Sequence, residues 1–265
     1  MTIYVLTMVP CHLPKDETDL KASALIQQIR EALKKYGGEP VLPLLMGDAT
    51  LYESVALEPL IGPFDMLLTR HVSVTAYNIA TQSAEYLTVS LNKEILTFGF
   101  INNFMFVDLL LPALKQVHNF IGEKVDVRSK LFVDAGGKVD YKLYQATGDR
   151  GLATYKRRVS RHPNRVAYMI DLRTKNDTPD GRAYDQEHTQ LWQQVMFSSD
   201  IELIYGGKVV SLNRGPKIFR EVGIYRLPSR EIVLDMLECD HYGRIVQVEQ
   251  HYILDRFVEL CLPVY

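Results

Sequence analysis

Two carboxylates stand inside matching apolar phrases. Asp108 lies in Phe106-Val107-Asp108-Leu109-Leu110-Leu111-Pro112, and Glu259 in Phe257-Val258-Glu259-Leu260-Cys261-Leu262-Pro263. In extended chain Phe106, Asp108 and Leu110 share one face, as do Phe257, Glu259 and Cys261. If that face closes onto an interior, the two carboxylates meet near a local two-fold axis. Desolvation or mutual repulsion would then raise one pKa into the range of a general base. The plainer alternative is a face that meets solvent or an arginine from a neighbouring element.

Arg70 and Arg226 fall at the ends of strand-like runs, each three residues before a serine. They could neutralise the carboxylates or clamp an anionic substrate in a bidentate way, or form structural ion pairs. His188 shares a helical face with Trp192 four residues on, so their side chains can touch. It is either a proton carrier or a core histidine bonded to backbone. Tyr168 and Asp171 point to opposite faces of one strand, so at most one of them lines a cavity. The expected catalytic set is Asp108, Glu259 and His188, and the expected substrate contacts are Arg70, Arg226, Tyr168 and Trp192. No metal site is expected: Cys239-Asp240-His241 and Cys11-His12 lack ligand spacing. Dinucleotide, P-loop, nucleophile-elbow and zincin motifs do not occur.

The elements that must carry these residues recur. Phe106 and Phe257 are 151 positions apart, whereas Arg70 and Arg226, Ser73 and Ser229, and Tyr86 and Tyr242 are each 156 apart. That pattern predicts two copies of one unit, with five extra residues in the first between Tyr86 and Phe106. The expected division is a first repeat over 1–114, a connector over 115–165 and a second repeat over 166–265.

In the first copy, Ile3–Val9 reads as a buried strand and 16–36 as a helix with Ala22, Leu25, Ile26, Ile29, Ala32, Leu33 and Tyr36 on one face. Pro40–Met46 is an edge or irregular strand, 47–63 a loop, Phe64–His71 a strand, and Ser73 caps a helix to Val89. Phe104–Leu111 closes the unit as a strand. In the second copy the strands are Val166–Leu172, Ile201–Leu212, Phe219–Leu227 and Ile253–Leu262. Its helices are Tyr184–Phe197 and one from Pro228 or Ser229 to Tyr242. The order is β-α-β-β-α-β in both, the split βαβ arrangement, whose sheet leaves one face in need of cover. Two copies can cover each other. The connector carries a basic run, Arg150 to Arg165, which reads as a solvated face or as a dock for an anionic ligand, partner chain or RNA.

The chain has 265 residues, 47% hydrophobic and 23% charged, with a net charge of −2. That composition excludes general disorder and long-range attraction to nucleic acid or anionic membrane. Three cysteines without paired spacing argue against a disulfide scaffold and for a reducing, cytoplasmic setting. Neither a signal peptide nor a transmembrane helix is expected.

The words Gly206-Gly207-Lys208-Val209-Val210-Ser211-Leu212, then Tyr225-Arg226-Leu227-Pro228-Ser229-Arg230-Glu231 and Asp240-His241-Tyr242, resemble small single-domain members of the dimeric α+β barrel superfamily. The match covers roughly 165 to 245; the first copy keeps the element order with few of the words. The resemblance implies an α+β fold in which two tandem ferredoxin-like repeats pair antiparallel sheets into one intramolecular barrel. Members similar in fold include cofactor-free monooxygenases, haem-degrading monooxygenases, lactone isomerases and haem-binding chlorite dismutase-like proteins. The expected function is therefore small-molecule binding in the barrel, with cofactor-independent monooxygenation or isomerisation of a small organic substrate. The alternative is a non-catalytic binding or scaffold module with a dry barrel core. No cofactor is expected, the expected partner is a small-molecule ligand, and homodimerisation is left open.

Overall fold

A computed structural model describes residues 1–11, 22–52, 54, 57, 63–91, 93–122, 163–210, 212, 219–237 and 239–265. The first half carries β1 (Ile3–Pro10), α1 (Ala24–Lys35), β2 (Glu39–Pro40), β3 (Leu44–Tyr52), β4 (Phe64–His71), α2 (Val74–Thr81), α3 (Ala84–Ser90) and β5 (Leu96–Asn102). A π-helical turn, Met105–Leu110, leads into α4 (Leu111–Ile121). The second half carries β6 (Ala167–Lys175), α5 (Pro179–Ser198), β7 (Glu202–Val210), β8 (Glu221–Leu227), α6 (Glu231–Leu237), α7 (Asp240–Glu249) and β9 (Ile253–Val264). The order β-α-β-β-α-β thus occurs twice.

Eight strands close into an antiparallel barrel in the order β1-β5-β7-β8-β6-β9-β3-β4 and back to β1, with the short β2 added to β4. Each half supplies four neighbouring strands. The halves join through β5 with β7 and through β3 with β9. The fold is α+β, with helices outside and an interior shared by both halves. Alternation decides which side chains go where: Leu6, Met8, Phe64, Met66, Phe98 and Phe257 point inward and pack with Tyr168, Ile170 and Ile224. Inside, Phe64 stands edge-on to Phe257 at 5.6 Å. Outside, α1 buries Ile26, Ile29, Ala32 and Leu33 against the first half-sheet, and α5 buries Trp192, Val195 and Met196 against the second. Among the described residues no helix is long and apolar enough to cross a membrane.

Several elements differ from the sequence reading. Helix α1 is described from Ala24, and the acids expected at its start, Asp16, Glu17 and Asp19, lie outside the described residues. Strand β3 runs through Tyr52 where a loop was expected, because β9 pairs with it from Leu44 to Tyr52 across two bulges. The helix after Ser73 is two helices: Ser73 Oγ accepts from the Ala76 N–H at 3.1 Å, and Ser83 Oγ restarts the chain by accepting from the Tyr86 N–H at 3.2 Å. The helix after Ser229 is likewise split in two.

The largest correction concerns Phe104–Leu111, expected as the closing strand. It is helical, and β5 closes the first half instead. An apolar run interrupted by Asp108 alone shows neither period, so length and neighbours decide. Here the strand ends at Asn102-Asn103, and the helical stretch that follows runs on through Pro112 into α4. The ladder gives the true equivalence: Tyr4 faces Arg70 and Phe100, while Tyr168 faces Arg226 and Cys261. Phe100 thus matches Cys261, and Phe98 matches Glu259. Tyr86 precedes Phe100 by 14 positions and Tyr242 precedes Cys261 by 19, so the second half carries the five extra residues, the reverse of the expectation. Of the basic run, Arg150 to Arg161 lie outside the described residues.

Candidate functional site

A cavity of about 690 Å³ lies outside the barrel, against its outer wall. Its floor is the outer face of β6, β7 and β8, its wall is α5, and its far side is the stretch from Ile101 to Leu111. Strand alternation puts Arg173 and Lys175 of β6, and Glu221, Gly223 and Tyr225 of β8, on this outer face. Helical spacing brings His188, Trp192 and Met196 of α5 over them. The helical stretch comes from the first half, so both halves build the cavity.

Behind the wall lies a chain of buried charges. His188 is 3% exposed, and its Nε2 is 2.8 Å from Glu249 Oε1. Arg256 Nη1 donates to Glu249 Oε2 at 2.6 Å, and its Nε and Nη2 grip both oxygens of Asp171 at 3.1 and 2.9 Å. Arg173 Nε is 3.3 Å from Glu221 Oε2, and Lys175 Nζ is 2.7 Å from both Glu221 and Asp185.

Burial opposes the charge on Glu249, yet Arg256 and His188 hold its carboxyl below the usual range. Burial likewise opposes the charge on Asp171, yet Arg256 and Arg173 hold it low. Burial also opposes the Arg173 charge, and Asp171 overrides it. Desolvation is the main reason the His188 pKa falls, so its imidazole is neutral at pH 7. An ionised Glu249 can only accept, which assigns the proton to Nε2 and leaves Nδ1 as an unprotonated nitrogen. Nδ1 is buried without a hydrogen-bond partner, as is Nη1 of Arg173.

Among the described residues the first half has no such array. By ladder register Asp171 corresponds to Thr7, Arg173 to Val9, Gly223 to Leu67 and Tyr225 to Thr69. Leu67 and Val9 pack under α1 in the first half, where the second half leaves space and charge.

The expected site residues disperse. His188 and Trp192 line the cavity. Asp108 does not pair with Glu259: it is exposed on the π-helical turn. Glu259 is fully buried inside the barrel, where its Oε2 accepts from Thr50 Oγ1 at 2.7 Å and its Oε1 accepts from the Phe64 N–H at 2.9 Å. Tyr168 also points into the barrel. Arg70 and Arg226 are exposed and form equivalent ion pairs with Glu39 and Glu202, the latter at 3.2 Å; neither reaches a buried carboxylate. Sequence reasoning missed Arg173, Lys175, Tyr225, Glu249 and Arg256. The alternation Asp171, Arg173, Lys175 on one strand was the available signal, three charges on a face that a helix covers.

No protein-family model matches the chain, and no curated protein matches it. Among solved structures, a variant of chlorite dismutase from Candidatus Nitrospira defluvii is similar at 10% identity, covering 98% of this chain and 92% of that one, with a TM-score of 0.44. A Lactobacillus acidophilus protein assigned as a monooxygenase is similar at 10% identity, over 98% and 93% of the two chains, with a TM-score of 0.41. A protein of unknown function from Rhodopseudomonas palustris matches 44% of this chain and 95% of its own at 15% identity, with a TM-score of 0.38. The fold assignment rests on the barrel topology above.

Haem, which the resemblance implies for some members of the superfamily, does not fit His188 in this cavity. Its Nε2 is taken by Glu249 Oε1 at 2.8 Å. Nδ1 adjoins Cβ, so a macrocycle bound there would run into α5 itself. No cluster of three or more histidine, cysteine or acidic side chains suited to a metal ion occurs among the described residues.

Proposed function

We propose that the chain binds a small, largely apolar organic molecule in the cavity between α5 and the outer face of β6, β7 and β8. The observation that carries this reading is the cavity itself: about 690 Å³, within the span usual for small-molecule sites, apolar over most of its lining, with Arg173, Lys175 and Lys208 gathered on its floor. The ligand's oxygen function faces these cations, and its apolar body meets Trp192, Tyr225 and Met196.

A second reading adds cofactor-independent chemistry, isomerisation or oxygenation, with His188 as the proton carrier. The pairing of a neutral imidazole with an ionised, arginine-held Glu249 favours it, since such a carboxylate fixes the ring and stabilises the imidazolium that forms on proton uptake. Asp108 and Glu259 have no part in it, because neither lines the cavity.

Trp192 is the chain's only tryptophan, so its emission reports on this cavity alone. Incubation with a metabolite mixture, followed by native mass spectrometry, should retain one small molecule that also changes Trp192 emission. No retained mass and an unchanged emission would overturn the binding reading. For the second reading, His188→Gln should keep the ligand and lose turnover of it; undiminished turnover would rule it out.

A further inference from the structure

The helical stretch from Met105 to Ile121 is apolar on two faces. Its inner face buries Val107 and Leu111 and rests Leu114 on the core beneath α5. Its outer face repeats Met105, Leu109, Ala113, Val117 and Phe120 at four- and three-residue steps, with Ile121 beside the last, and all six are exposed. Phe120 and Ile121 are 88% and 83% exposed, so no described residue covers either. A surface helix ordinarily turns polar side chains to water on the side away from its core. One that is apolar on both sides is suited to being covered on both.

Together with Leu110, these side chains expose on the order of 700 Å² of apolar surface, more than the largest patch usual on a monomer and close to what one partner gives to a stable two-chain interface. Charge keeps clear of the stripe: Lys115 reaches Asp200 at 2.9 Å, and helical spacing puts Asp108 on the flank. The pattern is also symmetric about a small residue. Met105 and Ile121 lie eight positions either side of Ala113, and Leu109 and Val117 four. A second copy of the stripe, laid antiparallel across Ala113, therefore meets it large residue to large residue, while the small side chain lets the two helices approach at the crossing. A net charge of −2 per chain opposes such a pairing only weakly.

We infer that a second copy of this chain covers the stripe, in a two-fold symmetric dimer whose 105–121 helices cross antiparallel at Ala113. Leu109 of each copy packs on Val117 of the other, and Met105 on Ile121. At the polar rim Asp108 of each copy comes beside Asn119 of the other, both exposed in the single chain. The dimer does not depend on what the cavity binds, but the two share a wall: Met105 and Phe106 also line the cavity's far side, so pairing braces that side from outside.

Sedimentation velocity of the full chain at about 50 µM, above the micromolar Kd that an interface near this size supports, should give twice the 30.3 kDa of one chain. Leu109→Glu and Phe120→Glu each bury a charge in the interface and should raise the dimer Kd at least about 30-fold. Far-UV circular dichroism should not change, because both side chains are exposed in the single chain. As a second measurement, Ala113→Cys should be cross-linked to a covalent dimer by a short bismaleimide, whereas Gln190→Cys, exposed on α5, should give no more dimer than the parent. A parent that stays monomeric at that concentration overturns the inference and leaves the stripe to the chain's own residues 123–162 or to a different protein. A dimer that survives both glutamate variants, or that cross-links no better from position 113 than from position 190, also overturns it, since the contact then lies elsewhere.

Discussion

Glu259 and Thr50 meet inside the barrel, 2.7 Å apart, and join the last strand of the second half to β3 of the first. The carboxyl is fully buried, and desolvation pushes its pKa up to about 8. A neutral acid suits the place: its two oxygens can still accept from Thr50 Oγ1 and from the Phe64 N–H. Between the ordinary carboxyl value of 4.5 and about 8 the folded chain holds a proton that the unfolded chain has released. Stability from this group is full below the lower value and falls as pH rises through the upper one, by at most about 1.4 kcal/mol per pH unit. Glu259→Gln keeps both hydrogen bonds without a titrating proton. Its melting temperature should fall less than the parent's between pH 5 and 8, as followed by circular dichroism; parallel profiles would show that Glu259 is not the group involved.

Asp48 of β3 and Arg230, just before α6, form a second tie between the halves. Their ion pair measures 3.0 Å, and both side chains are almost wholly enclosed. Removing one member of such a pair strands a charge, whereas removing both leaves an apolar contact. Asp48→Ala should cost about 3 to 5 kcal/mol in urea unfolding, and adding Arg230→Met should restore most of that loss. An Asp48→Ala cost near zero would mean that the pair does not hold the halves together.

Gly207 and Gly206 should answer differently to the same substitution. A Cβ on Gly207 would stand 1.8 Å from the Ile101 carbonyl oxygen, at the ladder that joins β5 to β7, whereas one on Gly206 meets nothing closer than 3.4 Å. Backbone cannot step aside there without giving up strand pairing. Gly207→Ala should therefore lose about 3 kcal/mol or more, and Gly206→Ala should stay within about 0.5 kcal/mol of the parent. Equal stabilities in denaturant titration would refute the close approach of β7 to Ile101.

Alternation and helical spacing made most of the fold legible, because an amphipathic strand or helix states which face it buries. β1, α1, β4, α5, β8 and the repeated β-α-β-β-α-β order all follow from it. The phrase shared by Phe106–Pro112 and Phe257–Pro263 misled because a short run with one carboxylate among apolar residues carries no period, and its similarity of letters covers a helix in one half and a strand in the other. That misreading placed Asp108 beside Glu259. At the site, His188 and Trp192 could be found from their four-residue spacing. Arg256, Glu249 and Tyr225 could not, because their convergence depends on which strands are neighbours, and no local pattern encodes β6 lying between β8 and β9.

His71 gives the pH profile its other slope. It is buried beside Tyr77, with Nε2 3.0 Å from Thr69 Oγ1, and desolvation drops its pKa to about 4 from an ordinary 6.5. Below pH 6.5 the unfolded chain takes up a proton that the folded chain refuses, so stability is full above that value and is lost as pH falls toward 4. Its sign is opposite to that of Glu259: one group weakens the fold in acid, the other in mild base. His71→Gln removes the acid-side titration while keeping a polar partner for Thr69. Its loss of melting temperature between pH 6.5 and 4 should be smaller than the parent's, and Glu259→Gln should leave that acid limb steeper than His71→Gln does. If His71→Gln changes nothing on the acid side, His71 is charged in the folded chain and the apolar setting assigned to it is wrong.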